Sequence, residues 1–214
     1  PKMFMNTFVI AIFTCIISTI FVLSVAYSMS RMRFKMRKPF MNIAMIIGLF
    51  PSFMSMIAVY YILRALNLAD GAMIRVALII VFSAGSGAGF YVAKGFFDTI
   101  SKSLDEAAII DGATRWNVFT KITVPLSKPI IVYTILTSFM GPWVDFIFGK
   151  VICRADAQYY TVSIGLWKML EKEYIDSWYT CFAAGAVVVS IPIAILFLMT
   201  QKFYVEGMTG AVKG

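Results

Sequence analysis

Residues that could perform acid-base, nucleophilic or metal chemistry are sparse in this chain of 214 residues. It contains no histidine, which excludes histidine metal ligands, Ser-His triads and Cys-His dyads. Its three cysteines, Cys15, Cys153 and Cys181, form no metal or redox motif, although Cys153 and Cys181 could either pair or stay free. No Gly-x-x-x-x-Gly-Lys-Ser/Thr phosphate loop occurs in the sequence. We therefore expect neither catalysis nor a directly bound cofactor.

Asp145 is the one acidic residue within an otherwise apolar stretch that runs from Pro129 to about Gly149. An ionisable residue inside a membrane helix usually marks a functional pathway. It follows Pro129 by about sixteen residues at about 1.5 Å each, which places it near the outer membrane surface. Two interpretations stay open: Asp145 contributes to a substrate path, or its side chain simply reaches water.

The elements that must position these residues are membrane helices. Hydrophobic residues make up 60% of the chain and charged residues only 14%. Uncharged runs lie between Lys2 and Arg31, Lys38 and Arg64, Arg75 and Lys94, and Asp176 and Lys202. Together with the Asp145 stretch they give five helices of about 18 to 25 residues, enough to cross about 30 Å of hydrocarbon. The sequence predicts an all-α, polytopic membrane protein, with residues 1–214 in a single domain.

The charges in the loops predict how the chain is oriented in the membrane. The stretch "RMRFKMRK", Arg31 to Lys38, has five basic residues and no acid, so the positive-inside bias places it in the cytoplasm. Alternation of the five spans then places residues 97–128 and the C-terminus in the cytoplasm, and Pro1 outside. The net charge of +8 comes from basic residues at the ends of hydrophobic runs, a pattern that indicates lipid headgroups and not nucleic acid.

Some residues within the predicted spans are unusual for a simple membrane anchor. Pro51 and Pro142 each remove a backbone hydrogen bond, which predicts a bend in the second and fourth spans. The third span contains "SAGSGAGFY", Ser83 to Tyr91, whose small residues allow a neighbouring helix to approach closely. This stretch is either ordinary helix packing or part of a pathway or moving interface.

The most polar segment, Ser103 to Pro129, carries a clear set of helix signals. Ser103-Leu-Asp-Glu106 predicts a capping box, in which the Ser103 hydroxyl accepts from the Glu106 N-H and the Glu106 carboxylate reaches back to the N-H of Ser103. Gly112 is placed to end this helix in a left-handed conformation. The sequence therefore predicts a short cytoplasmic helix from Ser103 to the residues just before Gly112.

A second short helix is predicted to begin near Thr114. Pro125 and Pro129 are expected to break it and to start the next membrane span. One side of this helix carries Trp116, Phe119 and Ile122. The predicted unit is a helix, a glycine turn and a second helix, held at both ends by membrane spans; we call residues 98–128 the EAA loop.

The EAA loop resembles the signature of permease subunits of bacterial ABC importers. That signature is matched by Glu106-Ala107-Ala108, three residues, Gly112, nine residues, and then Ile122-Thr-Val-Pro125, with Val124 where the family usually has Leu. The fuller string is similar to the carbohydrate branch, particularly to the smaller permease subunit of maltose and maltodextrin transporters. Similarity in "RMRF", "YTVSIGL" and the final stretch Phe182 to Gly214 extends the resemblance over nearly the whole chain. Such subunits usually have one more N-terminal span, so we expect that this chain is a fragment.

The resemblance implies a sugar importer in the bacterial cytoplasmic membrane, with several partners. These are a second permease subunit, a cytoplasmic ATPase dimer that uses ATP and Mg²⁺, and an extracytoplasmic sugar-binding protein. The residues it implies for ATPase coupling are Glu106, Ala107, Ala108, Asp111, Gly112, Trp116, Phe119 and Pro125. Because sugar paths often offer aromatic faces and hydrogen-bonding groups, we consider Tyr60, Tyr91, Trp143 and Asp145 possible contributors to the substrate path.

Two other classes of protein were weighed against this interpretation. A stand-alone secondary carrier or channel would be favoured by inverted repeats and by several paired charges inside the spans. A membrane-embedded enzyme would need clustered acids, histidines or an activated serine or lysine within the spans. The sequence offers only Asp145 toward the first alternative and none of the features of the second.

Overall fold

The computed structural model describes residues 1–50, 52–154 and 156–211, apart from the side chains of residues 52–53 and 204–211. These residues form helices and no strand. The α-helices are α1 (Lys2–Arg31), α2 (Arg37–Gly48), α3 (Ser52–Ala65), α4 (Met73–Gly85), α5 (Phe90–Thr99), α6 (Lys102–Ile110), α7 (Arg115–Val118), α8 (Val124–Leu126), α9 (Lys128–Val144), α10 (Ile147–Cys153), α11 (Val162–Met169) and α12 (Ile175–Ala211). Turns of 3₁₀-helix occupy Ser86–Gly89 and Ala157–Tyr159, and a π-helical turn occupies Phe119–Thr123.

The all-α prediction agrees with the described residues, but the prediction of five membrane spans is wrong. Three helices there are long and apolar enough to cross a membrane: Lys2–Arg31, Met73–Thr99 and Ile175–Phe203. The second of these joins α4 and α5 through the 3₁₀ turn. A fourth span is counted only if Arg115–Leu126 and Lys128–Val144, which meet at 82°, are taken as one broken helix.

The predicted second span is divided into two short helices. Helix α2 has 12 residues and α3 has 14, so each is only about 18–21 Å long at 1.5 Å per residue. At the end of α2 the N-H groups of Leu49 and Phe50 donate to carbonyls three residues back, which tightens the last turn. Pro51, where the sequence predicts a bend, lies outside the described residues.

Helix α1 is the central helix, and it packs against α4, α5 and α9. Its buried face carries small and hydroxyl residues at helical spacing, which lets neighbouring helices approach closely; they are Thr7, Ala11, Thr14, Ser18 and Ala26. Thr7 Oγ1 accepts a hydrogen bond of 2.8 Å from the N-H of Val162. The N-terminal end of α1 is thereby joined to α11, while its other end, at Arg31, meets the EAA loop.

The remaining helices enclose or flank this centre. Helix α9 begins with Pro129 in its first turn, as predicted, and ends two residues after Pro142. Helix α12 packs against α9 and α11, but its most apolar stretch contains no buried residue.

All three cysteines are free, with Cys153 buried and Cys181 exposed, so the possible pairing is absent. Burial raises the pKa of the Cys153 thiol to about 12, which keeps this thiol protonated and unreactive.

Candidate functional site

The first helix of the EAA loop begins earlier than predicted. Helix α6 starts at Lys102, and its N-cap is Ser101, whose hydroxyl accepts from the N-H of Ser103 at 3.3 Å. The predicted cap at Ser103 is therefore wrong, because Ser103 lies in the first turn. Helix α5 ends at Thr99 and Ile100 is extended, so Ser101 is the first serine that can cap a new helix.

The end of α6 confirms the predicted glycine turn. Gly112 has a φ of +84°, a conformation that favours glycine. The N-H of Gly112 donates to the carbonyl of Ile109, and the N-H of Ala113 donates to that of Ala108. These two bonds form a Schellman motif, which satisfies carbonyls that a helix end otherwise leaves unpaired. The turn thus fixes the direction in which the chain leaves α6.

The second half of the EAA loop starts as predicted but ends differently. Thr114 caps α7 by accepting from the N-H of Asn117 at 3.2 Å. Pro125 does not break the helix, because the helical path continues through the π turn and α8 to Leu126. The π turn shifts the hydrogen bonds by one residue, so that the N-H of Val124 reaches the carbonyl of Phe119. The sharp bend comes after Leu126, at Ser127, which serves as the N-cap position of α9.

Side-chain contacts with α1 hold the EAA loop in position. Arg31 Nε lies 3.1 Å from Asp105 Oδ2, and the two side chains are only 4% and 13% exposed. Tyr27 donates its hydroxyl to the Arg115 carbonyl at 3.3 Å and packs against the Phe119 ring at 4.7 Å between centroids. Separating the two partners of a buried ion pair is costly. The Arg31–Asp105 pair therefore restricts α6 to one position relative to α1.

Several apolar side chains of the EAA loop are exposed. Ile110 is 85% exposed and Trp116 is 69% exposed. Exposed apolar side chains are typical of a contact surface, and Leu104, Ile109 and Leu126 of the same loop are also exposed. Of the predicted coupling residues, Glu106, Ala107, Asp111, Gly112, Trp116 and Pro125 are exposed, while Ala108 and Phe119 are half-buried. Their assignment to an ATPase contact stays a prediction.

A cavity of about 920 Å³ lies between α1, α3, α4, α9 and α10. The small residues of the third predicted span contribute to it, since Gly85, Ser86 and Gly89 are among its lining residues. A Cβ atom added to Gly85 would meet no atom within 4 Å, which shows open space beside the helix. The small residues therefore border a cavity as well as permitting close packing, as at Gly89, which faces Val22 of α1.

Helix α9 presents a stripe of polar and small residues to the cavity. The stripe consists of Thr134, Thr137, Ser138, Gly141 and Asp145. Asp145 lies just beyond α9, and its carboxylate accepts from the N-H of Phe148 at 3.0 Å, which caps α10. Across the cavity Thr14 Oγ1 is buried and has no hydrogen-bond partner among the described residues. The cavity can thus offer hydroxyl groups and one carboxylate to a polar solute.

The other predicted path residues lie elsewhere. The Tyr60 hydroxyl accepts from Arg154 Nη1 at 2.8 Å, and Tyr91 donates to the Met41 carbonyl and stacks on Phe90. Trp143 is buried against Phe4 and Phe139. None of the three lines the cavity, and their role in a substrate path stays a prediction.

Sequence reasoning missed the residues that connect these regions to α1. It gave no partner for Asp105, whereas the structure pairs Asp105 with Arg31. It also missed the polar stripe on α9. The signal was present, because positions 134, 137, 138, 141 and 145 follow the spacing of one helical face. Among the described residues, no group of three or more histidine, cysteine or acidic residues could hold a metal ion.

A comparison with known protein families shows the class to which this chain belongs. A family model described as "Binding-protein-dependent transport system inner membrane component" matches residues 19–208. The chain belongs to this family. The permease is therefore an integral membrane component of a transport system, as its apolar helices also indicate.

Relatives of the permease agree in class and in fold. It is 35% identical over 213 residues to the galactooligosaccharides transport system permease protein GanQ of Bacillus subtilis, covering 99% of this chain and 74% of that protein. It is 32% identical over 212 residues to the maltodextrin transport system permease protein MalD of Streptococcus pneumoniae, with coverage of 99% and 74%. A chain from the crystal structure of a bacterial ABC transporter that imports the acidic polysaccharide alginate superposes with a TM-score of 0.77 at 26% identity. This match covers 95% of the permease and 74% of that chain.

Proposed function

We propose that this permease is a membrane subunit of an ATP-driven importer of oligosaccharides, most simply maltodextrin or a related sugar. An extracytoplasmic sugar-binding protein delivers the substrate, and a second permease subunit completes the path. A cytoplasmic ATPase dimer binds ATP and Mg²⁺, so the permease itself hydrolyses nothing and binds no cofactor. The observation that carries this proposal is relatedness over 99% of the chain to permeases named for maltodextrin and galactooligosaccharides.

The EAA loop is the proposed contact with the ATPase, and it lies in the cytoplasm together with the C-terminus. Its buried face is fixed to α1 by Arg31–Asp105 and Tyr27–Phe119, while its outer face exposes Ile110 and Trp116. A displacement of α6 by the ATPase would pass through these contacts into α1. Movement of a rigid element against its neighbours is an established way to switch a membrane protein between states. The coupling residues are those predicted from the sequence, with Gly112 fixing the end of α6.

The cavity beside α9 is the proposed contribution of this subunit to the sugar path. Hydroxyl groups and the Asp145 carboxylate can pair with sugar hydroxyls, and aliphatic residues of α3 and α4 line the remaining wall. Asp145 also caps α10. The same residue would therefore contact the substrate and fix the start of α10. Neither the family match nor the relatives support a stand-alone secondary carrier or channel.

The test is sugar uptake by the reconstituted importer with its binding protein and ATPase. Wild type is expected to accumulate maltodextrin or galactooligosaccharide only when both partners and ATP are present. Gly112→Val imposes a left-handed conformation on a β-branched residue, with strain of about 1–2 kcal/mol or more. Uptake and retention of the ATPase subunit should both fall, because the end of α6 is distorted.

Gly71→Val is the matched control for this substitution. Gly71 also has a positive φ, of +56°, and open space around its Cβ position, but it lies in the turn between α3 and α4. The control should retain the ATPase at the wild-type level. If Gly112→Val retained both ATPase binding and uptake, the coupling role of α6 would be wrong. Uptake that needed neither ATP nor the binding protein would contradict the importer itself.

A further inference from the structure

Arginine side chains from two distant parts of the chain surround a second cavity, of about 420 Å³. Its lining consists of Arg31, Met32, Arg33 and Arg115. The cavity therefore has three positive charges and no carboxylate in its wall. Arg31 ends α1, Arg33 follows it, and Arg115 opens α7, so the fold of the EAA loop is what brings Arg115 to the other two.

The Arg31 side chain is buried at the edge of this cavity and is held there by neighbouring groups. Its side chain is only 4% exposed. Nε lies beside Asp105, and Nη2 donates to the Ile100 carbonyl at 2.8 Å. The remaining nitrogen, Nη1, is buried without a hydrogen-bond partner among the described residues. The guanidinium charge is therefore fixed in position beside the cavity.

An adjoining smaller cavity, of about 190 Å³, contains acidic as well as basic residues. Its lining includes the bases Arg31, Arg33, Arg37, Lys102 and Arg115 together with the acids Asp105 and Glu106. An anion placed there would meet both of these acids. The larger cavity is therefore the better anion site, because no acidic residue is part of its lining.

We propose that Arg31, Arg33 and Arg115 bind a phosphate group in the larger cavity. Arginine forks match phosphate oxygens, and hydrogen bonds between charged groups are stronger than neutral ones. Two sources share this chemistry: the headgroup of an anionic lipid and free inorganic phosphate. Because Arg31 is the last residue of a candidate membrane span, the site lies at the depth where lipid phosphates are found. The proposal rests on these contacts and does not depend on the transported sugar.

The test measures binding of phosphatidylglycerol to the purified importer complex by native mass spectrometry, with phosphatidylcholine as the neutral reference. Arg33→Gln should weaken phosphatidylglycerol binding about fivefold, and Arg33→Gln with Arg115→Gln about twenty-five-fold, from about 1 kcal/mol per basic residue. Both side chains are exposed, so neither change removes a buried contact. Lys35→Gln is the matched control, because Lys35 is an exposed base of the same loop that lines neither cavity.

A second arm replaces the lipid with inorganic phosphate at constant ionic strength. The same order of variants with phosphate, but no selective binding of phosphatidylglycerol, supports the site and assigns it to the free anion. Selective lipid binding with that order assigns it to the headgroup. The proposal is overturned if Lys35→Gln weakens binding as much as Arg33→Gln, since the attraction would then be diffuse. It is also overturned if binding appears only after the ATPase is stripped away, since a protein surface would then occupy the arginines.

Discussion

The EAA loop and the large cavity differ in how their polar side chains are held. In the EAA loop, contacts with α1 hold the inner face: Arg31 lies against Asp105, and Tyr27 donates to the Arg115 carbonyl. In the cavity, small residues such as Gly85 leave open space, and the Thr14 hydroxyl has no partner among the described residues. The contacts with α1 restrict movement within the EAA loop, whereas the open space of the cavity allows its lining to rearrange. This difference fits the proposed role of a membrane subunit that is moved by a separate ATPase.

The largest expected effect comes from the buried ion pair of the EAA loop. Asp105→Ala leaves the Arg31 charge buried without compensation, which should lower the free energy of unfolding by about 3 kcal/mol. The measurement is thermal unfolding of the detergent-solubilised complex, with limited proteolysis of the EAA loop. Asp111→Ala is the control, because Asp111 is exposed at the C-terminal end of the same helix and forms no ion pair among the described residues. Equal stability of the two variants would mean that the ion pair does not hold α6.

A smaller effect is expected from the exposed face of the same loop. Trp116→Ala should weaken binding of the ATPase subunit by about 2 kcal/mol, or about thirtyfold, because aromatic anchors dominate protein interfaces. Its unfolding temperature should stay close to that of wild type, since Trp116 is 69% exposed. The measurement is titration of the ATPase against the reconstituted permease pair. Trp167→Ala is the control, at an exposed tryptophan of α11, and an equal loss there would remove Trp116 from the interface.

The cavity can be tested by filling it. Gly85→Leu places a side chain into open space, so the fold should persist while sugar uptake falls by about tenfold, as expected when a pocket loses complementarity. Gly87→Leu is closely matched, because Gly87 also has no neighbour within 4 Å of an added Cβ atom but does not line the cavity. Uptake at the wild-type level in Gly85→Leu would show that sugar does not pass through this space.

The smallest effect is expected at Asp145. Asp145→Asn retains an oxygen that can cap α10, because asparagine and aspartate are similar N-caps. Stability should therefore change little. Uptake should fall about fivefold, since replacing a charged hydrogen bond with a neutral one costs about 1 kcal/mol. If the rate of uptake is unchanged, Asp145 acts only as a helix cap that reaches water.

Local helix chemistry explains which parts of the fold were predictable. The glycine turn at Gly112 and the cap at Thr114 each follow from residues a few positions apart. The N-cap was misplaced because Ser101 and Ser103 are equally good caps, and the end of α5 at Thr99 decides between them. The π turn before Pro125 has no comparable sequence signal, so the position of the bend could not be predicted.

Tertiary contacts explain the rest. Uncharged runs located the apolar segments, but the second run is divided into α2 and α3, and only three candidate spans result among the described residues. The partner of Asp105 is Arg31, 74 positions earlier, and such a pair depends on how α6 packs against α1. The cavity likewise forms between helices that are distant in sequence. Of the predicted path residues it includes only Asp145.

The central claim is that α6 touches the ATPase while the opposite end of the permease does not. Its most direct test is cross-linking of Ala107→Cys, an exposed position on α6, to single cysteines on the ATPase, after Cys15, Cys153 and Cys181 are replaced. The account predicts a cross-link whose yield changes between the nucleotide-free and ATP-bound complex. The same reaction with Glu173→Cys, an exposed position after α11, should give no ATPase product. A cross-link from Glu173→Cys and none from Ala107→Cys would contradict both the coupling role and the orientation.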